Sequence, residues 1–216
     1  MSAPSPSIRL PAGLAIGYRS TLAGLRDEVT LTGGTHYLLA RNGRGKTTLL
    51  RTIAGTLKPR DGRVTRDGYL QYLPEDLRFD AEITPATIFR TLLPRHRLKP
   101  ALDLARDIEL DVRKPYGRLS TGNRRKTSLI VAEFSTREDT GNILLLDEPF
   151  SGLDAFARAA FEDIWKKSAG NVLRLVSCHP DYDSMAMASA LLIESGNITH
   201  HQSGGQTWDT LKQLLN

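Results

Sequence analysis

Residues 38–48, Leu38-Leu39-Ala40-Arg41-Asn42-Gly43-Arg44-Gly45-Lys46-Thr47-Thr48, pass from an apolar strand through a glycine-bearing loop into a helix. A loop of this build turns several backbone N–H groups toward one point. The helix that follows adds the positive end of its dipole, so phosphate is the natural occupant. Asn42, Gly43, Arg44, Gly45, Lys46, Thr47 and Thr48 form the cradle. Lys46 carries a point charge to the β- and γ-phosphates, and the Thr47 hydroxyl takes one place around Mg²⁺. The pattern G-x-x-x-x-G-K-[ST] asks for glycine at position 40, where this chain has Ala40. Alanine is acceptable there if its φ is negative.

Working outward, Leu49, Leu50, Ile53, Ala54 and Leu57 recur at helical spacing, and Gly55, Pro59 and Gly62 close that segment. Upstream, Ile8 to Thr32 alternates apolar and polar residues between Gly and Pro, which reads as short antiparallel strands. Downstream, Tyr69–Leu73 is a strand stopped by Pro74-Glu75. The segment from Thr84 to Tyr116 is richer in helix formers and charge, and Pro85, Pro94, Pro100 and Pro115 divide it into short helices. A polar turn, Arg118 to Lys126, then opens another helix with Leu129, Ile130, Ala132, Glu133 and Phe134 on it. Two further strands, Asn142–Leu146 and Val172–Val176, flank a helix carrying Ala157, Phe161, Ile164 and Trp165. A hairpin turning at Gly196-Asn197 precedes a last short helix near Trp208 to Leu215. Strands and helices alternate, so the fold class is α/β. We divide the chain at 1–83 (antiparallel strands and the first part of the core), 84–116 (an inserted helical subdomain) and 117–216 (the rest of the core), all within one domain.

The chain has 216 residues, 40% of them hydrophobic, enough for one good core. The net charge of +5 comes from scattered Arg and Lys with no long run, which suits an anionic ligand or a seat near an anionic membrane and does not call for nucleic acid. Cys178 is the only cysteine, so no internal disulfide forms and a reducing cytoplasm fits. Residues 1–7 lack the basic and apolar regions of a leader and read as a frayed tail. No apolar run approaches the roughly 18–20 residues of a membrane span, so a membrane function would need another chain.

Asn142-Ile143-Leu144-Leu145-Leu146 carries a continuous apolar run from Ile143 and ends in Asp147-Glu148-Pro149, the pattern of a buried parallel strand with its chemistry at the sheet edge. Beside a phosphate loop these acids complete a reaction site. Asp147 holds Mg²⁺ through water, and Glu148 orients or deprotonates the water that attacks the γ-phosphorus. Nucleotide hydrolysis is the expected chemistry.

Five motifs now stand in order: the phosphate loop; Leu119-Ser120-Thr121-Gly122-Asn123 opening a helix; Asp147-Glu148; Ser151-Gly152-Leu153-Asp154; and His179 after the next strand. Together they resemble the nucleotide-binding subunit of an ABC transporter, over nearly the whole chain from Ile8 to the C-terminal hairpin. The resemblance implies a P-loop NTPase (RecA-like) core with an N-terminal antiparallel β subdomain and a small inserted helical subdomain, using ATP and Mg²⁺. It implies that Ser120, Gly122 and Asn123 contact the γ-phosphate of ATP held by a second ATPase subunit, so that two subunits, alike or different, sandwich two ATP head to tail. Asp154 would then lie at the dimer seam while also capping the next helix. His179 would contact the γ-phosphate and help Glu148 hold the attacking water. Tyr18 matches the family's aromatic that stacks on adenine, a contact of about 1–3 kcal/mol by analogy with base stacking elsewhere. Thr121 and Asn123 replace the family's Gly and Gln.

The clearest departure is Glu75, which stands where the family has a glutamine that reaches Mg²⁺. A carboxylate can still meet the metal, with Thr47 and Asp147, but adds negative charge beside the triphosphate. The expectation is an ATPase with altered metal affinity or coupling. The resemblance also implies a membrane-spanning permease partner, no nucleic acid, and a place on the cytoplasmic face of the membrane. The alternative is a soluble ABC-type ATPase acting on a cofactor-assembly scaffold or on nucleic acid.

Overall fold

Strand residues that alternate between the two faces of one large sheet divide the core in two, and that division positions everything else. The computed structural model describes residues 5–178 and 185–215. In chain order the elements are β1 (Ser7–Leu10), β2 (Ala15–Ile16), β3 (Ala23–Leu25), β4 (Val29–Leu31), β5 (Gly34–Leu39), α1 (Lys46–Ala54), β6 (Thr65–Asp67), β7 (Tyr69–Leu73), α2 (Pro85–Leu92) and α3 (Arg95–Asp107). There follow α4 (Thr121–Phe134), β8 (Asn142–Leu146), α5 (Ala155–Lys167), β9 (Val172–Ser177), β10 (Ser189–Glu194), β11 (Asn197–Gln202) and α6 (Trp208–Lys212).

Eight strands pair in the order β2-β3-β11-β10-β5-β9-β8-β7, and β4-β1-β6 form a separate antiparallel sheet. The run β10-β5-β9-β8-β7 is parallel throughout. Leu39, Leu144, Leu146 and Val176 face a cluster with Phe89, Ala101, Leu129, Phe161 and Trp165 from α2 to α5. Leu38, Ile143, Leu145 and Leu175 face the opposite cluster, with Leu49, Leu50 and Ile53 of α1 and Ile8, Leu10 and Leu31 of the small sheet. Coverage on both faces explains why β8 is buried at every position and apolar from Ile143 to Leu146. The expected α/β class, antiparallel N-terminal strands and inserted helices are all present.

Parallel register brings four strand ends to one edge. Leu38 pairs with Ser177, Leu146 with Val176, and Leu73 with Leu146. The loop after β5, Asp147-Glu148 after β8, Ser177 at the end of β9 and Glu75 after β7 therefore emerge together, at the carboxyl edge where open α/β sheets bind ligands.

Pro100 was expected to divide two helices and instead lies inside α3. Its ring removes one intrahelical hydrogen bond, a cost of about 3 kcal/mol in an isolated helix. Packing overrides it: Ala101 and Ala105 are fully buried, Leu98 and Leu102 pack beside them, and α3 lies along α4 and α2. Among the described residues no helix is long and apolar enough to cross a membrane.

Candidate active site

The phosphate loop takes the shape its glycines permit. Gly43 has φ +74° and Gly45 φ +112°, conformations that side-chain-bearing residues avoid. Gly45 is the N-cap of α1 and supplies no side-chain cap, so the first N–H groups of that helix are left to a ligand. Ala40 is absent from the left-handed residues, which satisfies the condition set for it. Arg41, Asn42, Gly43, Gly45, Lys46, Thr47, Thr48, Glu75, Glu148, Ser151 and Gly152 line a cleft of about 610 Å³.

Lys46 is buried, and its Nζ donates to the Ala40 carbonyl at 3.2 Å and pairs with Glu148 Oε1 at 3.3 Å. Asp147 is 1% exposed. Its Oδ1 accepts from Ser177 Oγ at 2.7 Å and its Oδ2 from the Tyr72 hydroxyl at 3.4 Å. Burial, then the Asp147 charge, push the Tyr72 phenol up to about 12, so it stays a donor. Glu148 has φ +47°, and its N–H donates to Ser177 Oγ at 2.8 Å.

Glu75 lines the same cleft, and its carbonyl accepts from Arg125 Nη2 of α4 at 2.9 Å. Burial lowers the pKa of Arg125, and the Glu75 charge partly offsets this. Tyr18 stands outside the cleft lining, 56% exposed, with Arg51 Nη1 of α1 donating to its hydroxyl at 3.2 Å.

Ser120, Gly122 and Asn123 also lie outside the cleft lining. Ser120 caps α4, its hydroxyl accepting from the Asn123 N–H at 3.2 Å. Gly122 approaches the Gly152 carbonyl so closely that a Cβ would collide with it. Asp154 caps α5 through the Ala157 N–H at 2.7 Å and pairs with Lys126 Nζ at 2.9 Å; these hold its carboxyl below the usual range, the backbone bond contributing most. His179 lies outside the described residues. Cys178 is buried, and burial raises its thiol, so it is inert packing.

The geometry puts a phosphate cradle, a lysine and the partly buried Glu148 around one cleft, with Asp147 buried directly behind it. A family model described as ABC transporter matches residues 29–151, more than half of the chain. The chain belongs to the ABC transporter family. Within that family it is an ATP-binding, ATP-hydrolysing component. It is 32% identical to the cytochrome c biogenesis ATP-binding export protein CcmA of Chelativorans sp. (strain BNC1) over 178 residues, covering 70% of this chain and 86% of that one. It is 29% identical to the manganese transport system ATP-binding protein MntB of Listeria innocua serovar 6a over 201 residues, 81% of this chain and 80% of that one. The solved ATP-binding subunit of an ABC transporter shares the fold, with a TM-score of 0.73 and 21% identity over 98% of this chain and 99% of that one.

Against this ABC ATPase frame, sequence reasoning missed Ser177, Arg125, Tyr72 and Arg51. The signal for Ser177 was present: a hydroxyl ending a strand that is apolar but for Arg174, beside the strand that delivers Asp147. Arg125 carried no such signal, because it stands between two other cations, Arg124 and Lys126.

Proposed function

We propose that this ATPase drives a separate membrane-spanning partner by ATP-dependent closure and opening of a dimer of ATPase subunits, from the cytoplasmic face of the membrane. The observation that carries the reading is the meeting of Lys46, the Gly45-capped helix and the Asp147-Glu148 pair at one sheet edge. The named relatives include a cytochrome c biogenesis export protein and a manganese transport protein, which fits an energy module whose cargo is chosen elsewhere.

Mg²⁺ fits the residues present. Asp147 is a buried carboxylate held by two neutral hydroxyls, and Thr47 and Glu75 add oxygen donors at the same cleft. Such an all-oxygen set with few protein ligands suits a hard cation that completes its shell with phosphate and water. Bound there, Mg²⁺ would neutralise charge on the β- and γ-phosphates. Asn42 to Thr48 would hold the phosphates, with Lys46 Nζ turning from Glu148 toward the γ-phosphate. The released Glu148 carboxylate would take the proton of the water that attacks phosphorus. Ser120, Gly122 and Asn123, outside the cleft, would serve the ATP of a second subunit. Asp154 would stand at the seam, and His179 would assist Glu148. Tyr18 would meet adenine, with Arg51 orienting its ring. The division at 84–116 supplies the helical segment proposed to meet the partner.

The test is a pull-down of tagged Glu148→Gln protein from detergent-solubilised cells, with and without ATP. Recovery of a multi-span membrane protein that stimulates ATP turnover by the wild type is expected. Recovery of soluble proteins or nucleic acid alone would overturn the transporter reading.

A further inference from the structure

Both acids of the site share one neighbour. Ser177, fully buried at the end of β9, has a single hydroxyl with one proton to give and lone pairs to receive. It gives the proton to Asp147 Oδ1 at 2.7 Å and receives the Glu148 N–H at 2.8 Å. The parallel register makes this possible: Val176 pairs with Leu146, so the next residue on each strand, Ser177 and Asp147, leaves the sheet side by side.

The second bond matters because of where Glu148 sits. The last N–H of this segment with a sheet partner is that of Asp147, which donates to the Leu73 carbonyl at 2.9 Å. One residue on, Glu148 adopts φ +47°, the left-handed region that non-glycine residues rarely occupy. That turn swings its side chain toward Lys46, and Ser177 Oγ takes the N–H that the sheet no longer serves.

We infer that Ser177 is a positioning residue for ATP hydrolysis: its hydroxyl fixes the Asp147 carboxylate and holds Glu148 in the left-handed turn that aims its carboxylate into the cleft. The inference rests on the ATPase reading above. Ser177 is fully buried and lines no part of the cleft, so it acts on turnover through the two acids and leaves phosphate binding to the loop.

The experiment measures ATP turnover and the dissociation constant of a fluorescent ATP analogue for the wild type, Ser177→Ala, Ser177→Thr, Ser177→Val and Glu148→Gln, with thermal midpoints alongside. Ser177→Thr and Ser177→Val carry nearly the same extra bulk and differ by the hydroxyl, so their ratio reads the hydroxyl even if the bulk costs stability. We expect Ser177→Ala to lower kcat roughly 10- to 100-fold, as a small misplacement of a reacting group does, with nucleotide affinity nearly unchanged. Ser177→Thr should exceed Ser177→Val by a similar factor. Equal turnover in the Thr and Val variants, or wild-type turnover in Ser177→Ala, overturns the inference. If the wild type itself fails to hydrolyse ATP, the ATPase reading falls and this inference with it. If the wild type is active and Glu148→Gln is not, a normal Ser177→Ala counts against Ser177 alone.

Discussion

Lys46 Nζ lies 3.3 Å from Glu148 Oε1, so the lysine of the phosphate loop and the acid that would activate water are ion-paired with each other across the cleft. A triphosphate arriving on the loop must compete with Glu148 for Lys46. Glu148→Gln weakens the competitor, so we expect it to bind ATP at least as tightly as the wild type while turnover falls about 10²- to 10⁴-fold. Lys46→Ala should lose ATP binding itself. Titration calorimetry with ATP, set beside phosphate release, checks both.

Glu75 brings a second carboxylate to the same cleft. Glu75→Gln removes a negative charge facing the phosphates, so ATP binding without Mg²⁺ should tighten, most at low ionic strength. The difference should shrink when Mg²⁺ is added. Identical Mg²⁺ dependence and identical rates in the two proteins would refute a role for this carboxylate at the site.

Gly122 meets the Gly152 carbonyl where a Cβ would collide. Gly122→Ala therefore pushes the start of α4 away from the turn that carries Ser151 and Asp154. We expect turnover to drop while ATP binding to the phosphate loop persists, since the loop belongs to β5 and α1. Loss of ATP binding in step with turnover would contradict this.

Arg174 and Glu133, 1% and 2% exposed, form a two-pronged ion pair between β9 and α4: Nη2 to Oε2 at 2.6 Å and Nε to Oε1 at 3.0 Å. Trp165 Nε1 also donates to Glu133 Oε1 at 2.7 Å, which ties in α5. Removing one charge strands the other in the core, so Arg174→Met should cost about 3–5 kcal/mol in urea unfolding. Adding Glu133→Gln should return part of that stability. Independent, additive losses would show that the pair is not coupled.

His36 is buried, its Nδ1 2.7 Å from Ser189 Oγ and its Nε2 2.7 Å from the Thr32 carbonyl, and Ser189 Oγ is 2.8 Å from His200 Nε2. Burial lowers the pKa of both histidines, and for His200 the neighbouring His36 and His201 lower it further. With the folded values below the unfolded 6.5, the unfolded chain binds more protons as pH falls. Stability is therefore full above pH 6.5 and declines below it, as far as the folded pKa values. Thermal midpoints between pH 7.5 and 5 should fall more steeply for the wild type than for His36→Gln, and equal slopes would exclude His36.

Much of the architecture was legible because local chemistry and global fold agree here. The phosphate loop is read from Gly43, Gly45 and Lys46, since backbone conformation and charge at those positions are properties of the residues themselves. β8 is readable because a strand buried on both faces shows as a continuous apolar run, here Ile143 to Leu146. Pro100 was misread: its effect on an isolated helix is real, but α4 and α2 hold α3 together across it. Nor does sequence distance convey that Arg125 reaches the carbonyl of Glu75, or that Arg174 in an apolar strand has its partner on α4.

Residue type and local spacing set which chemistry is available: a loop that admits phosphate, a lysine, two adjacent acids and a helix-opening Ser-x-Gly. How these groups act on one another follows from the folded arrangement. Parallel strand register, which depends on pairing between segments far apart in the chain, brings Ser177 beside Asp147 and the left-handed Glu148 across from Lys46. Spacing along the chain carries no information about that register, because it is settled by which faces of the strands are buried when the sheet assembles.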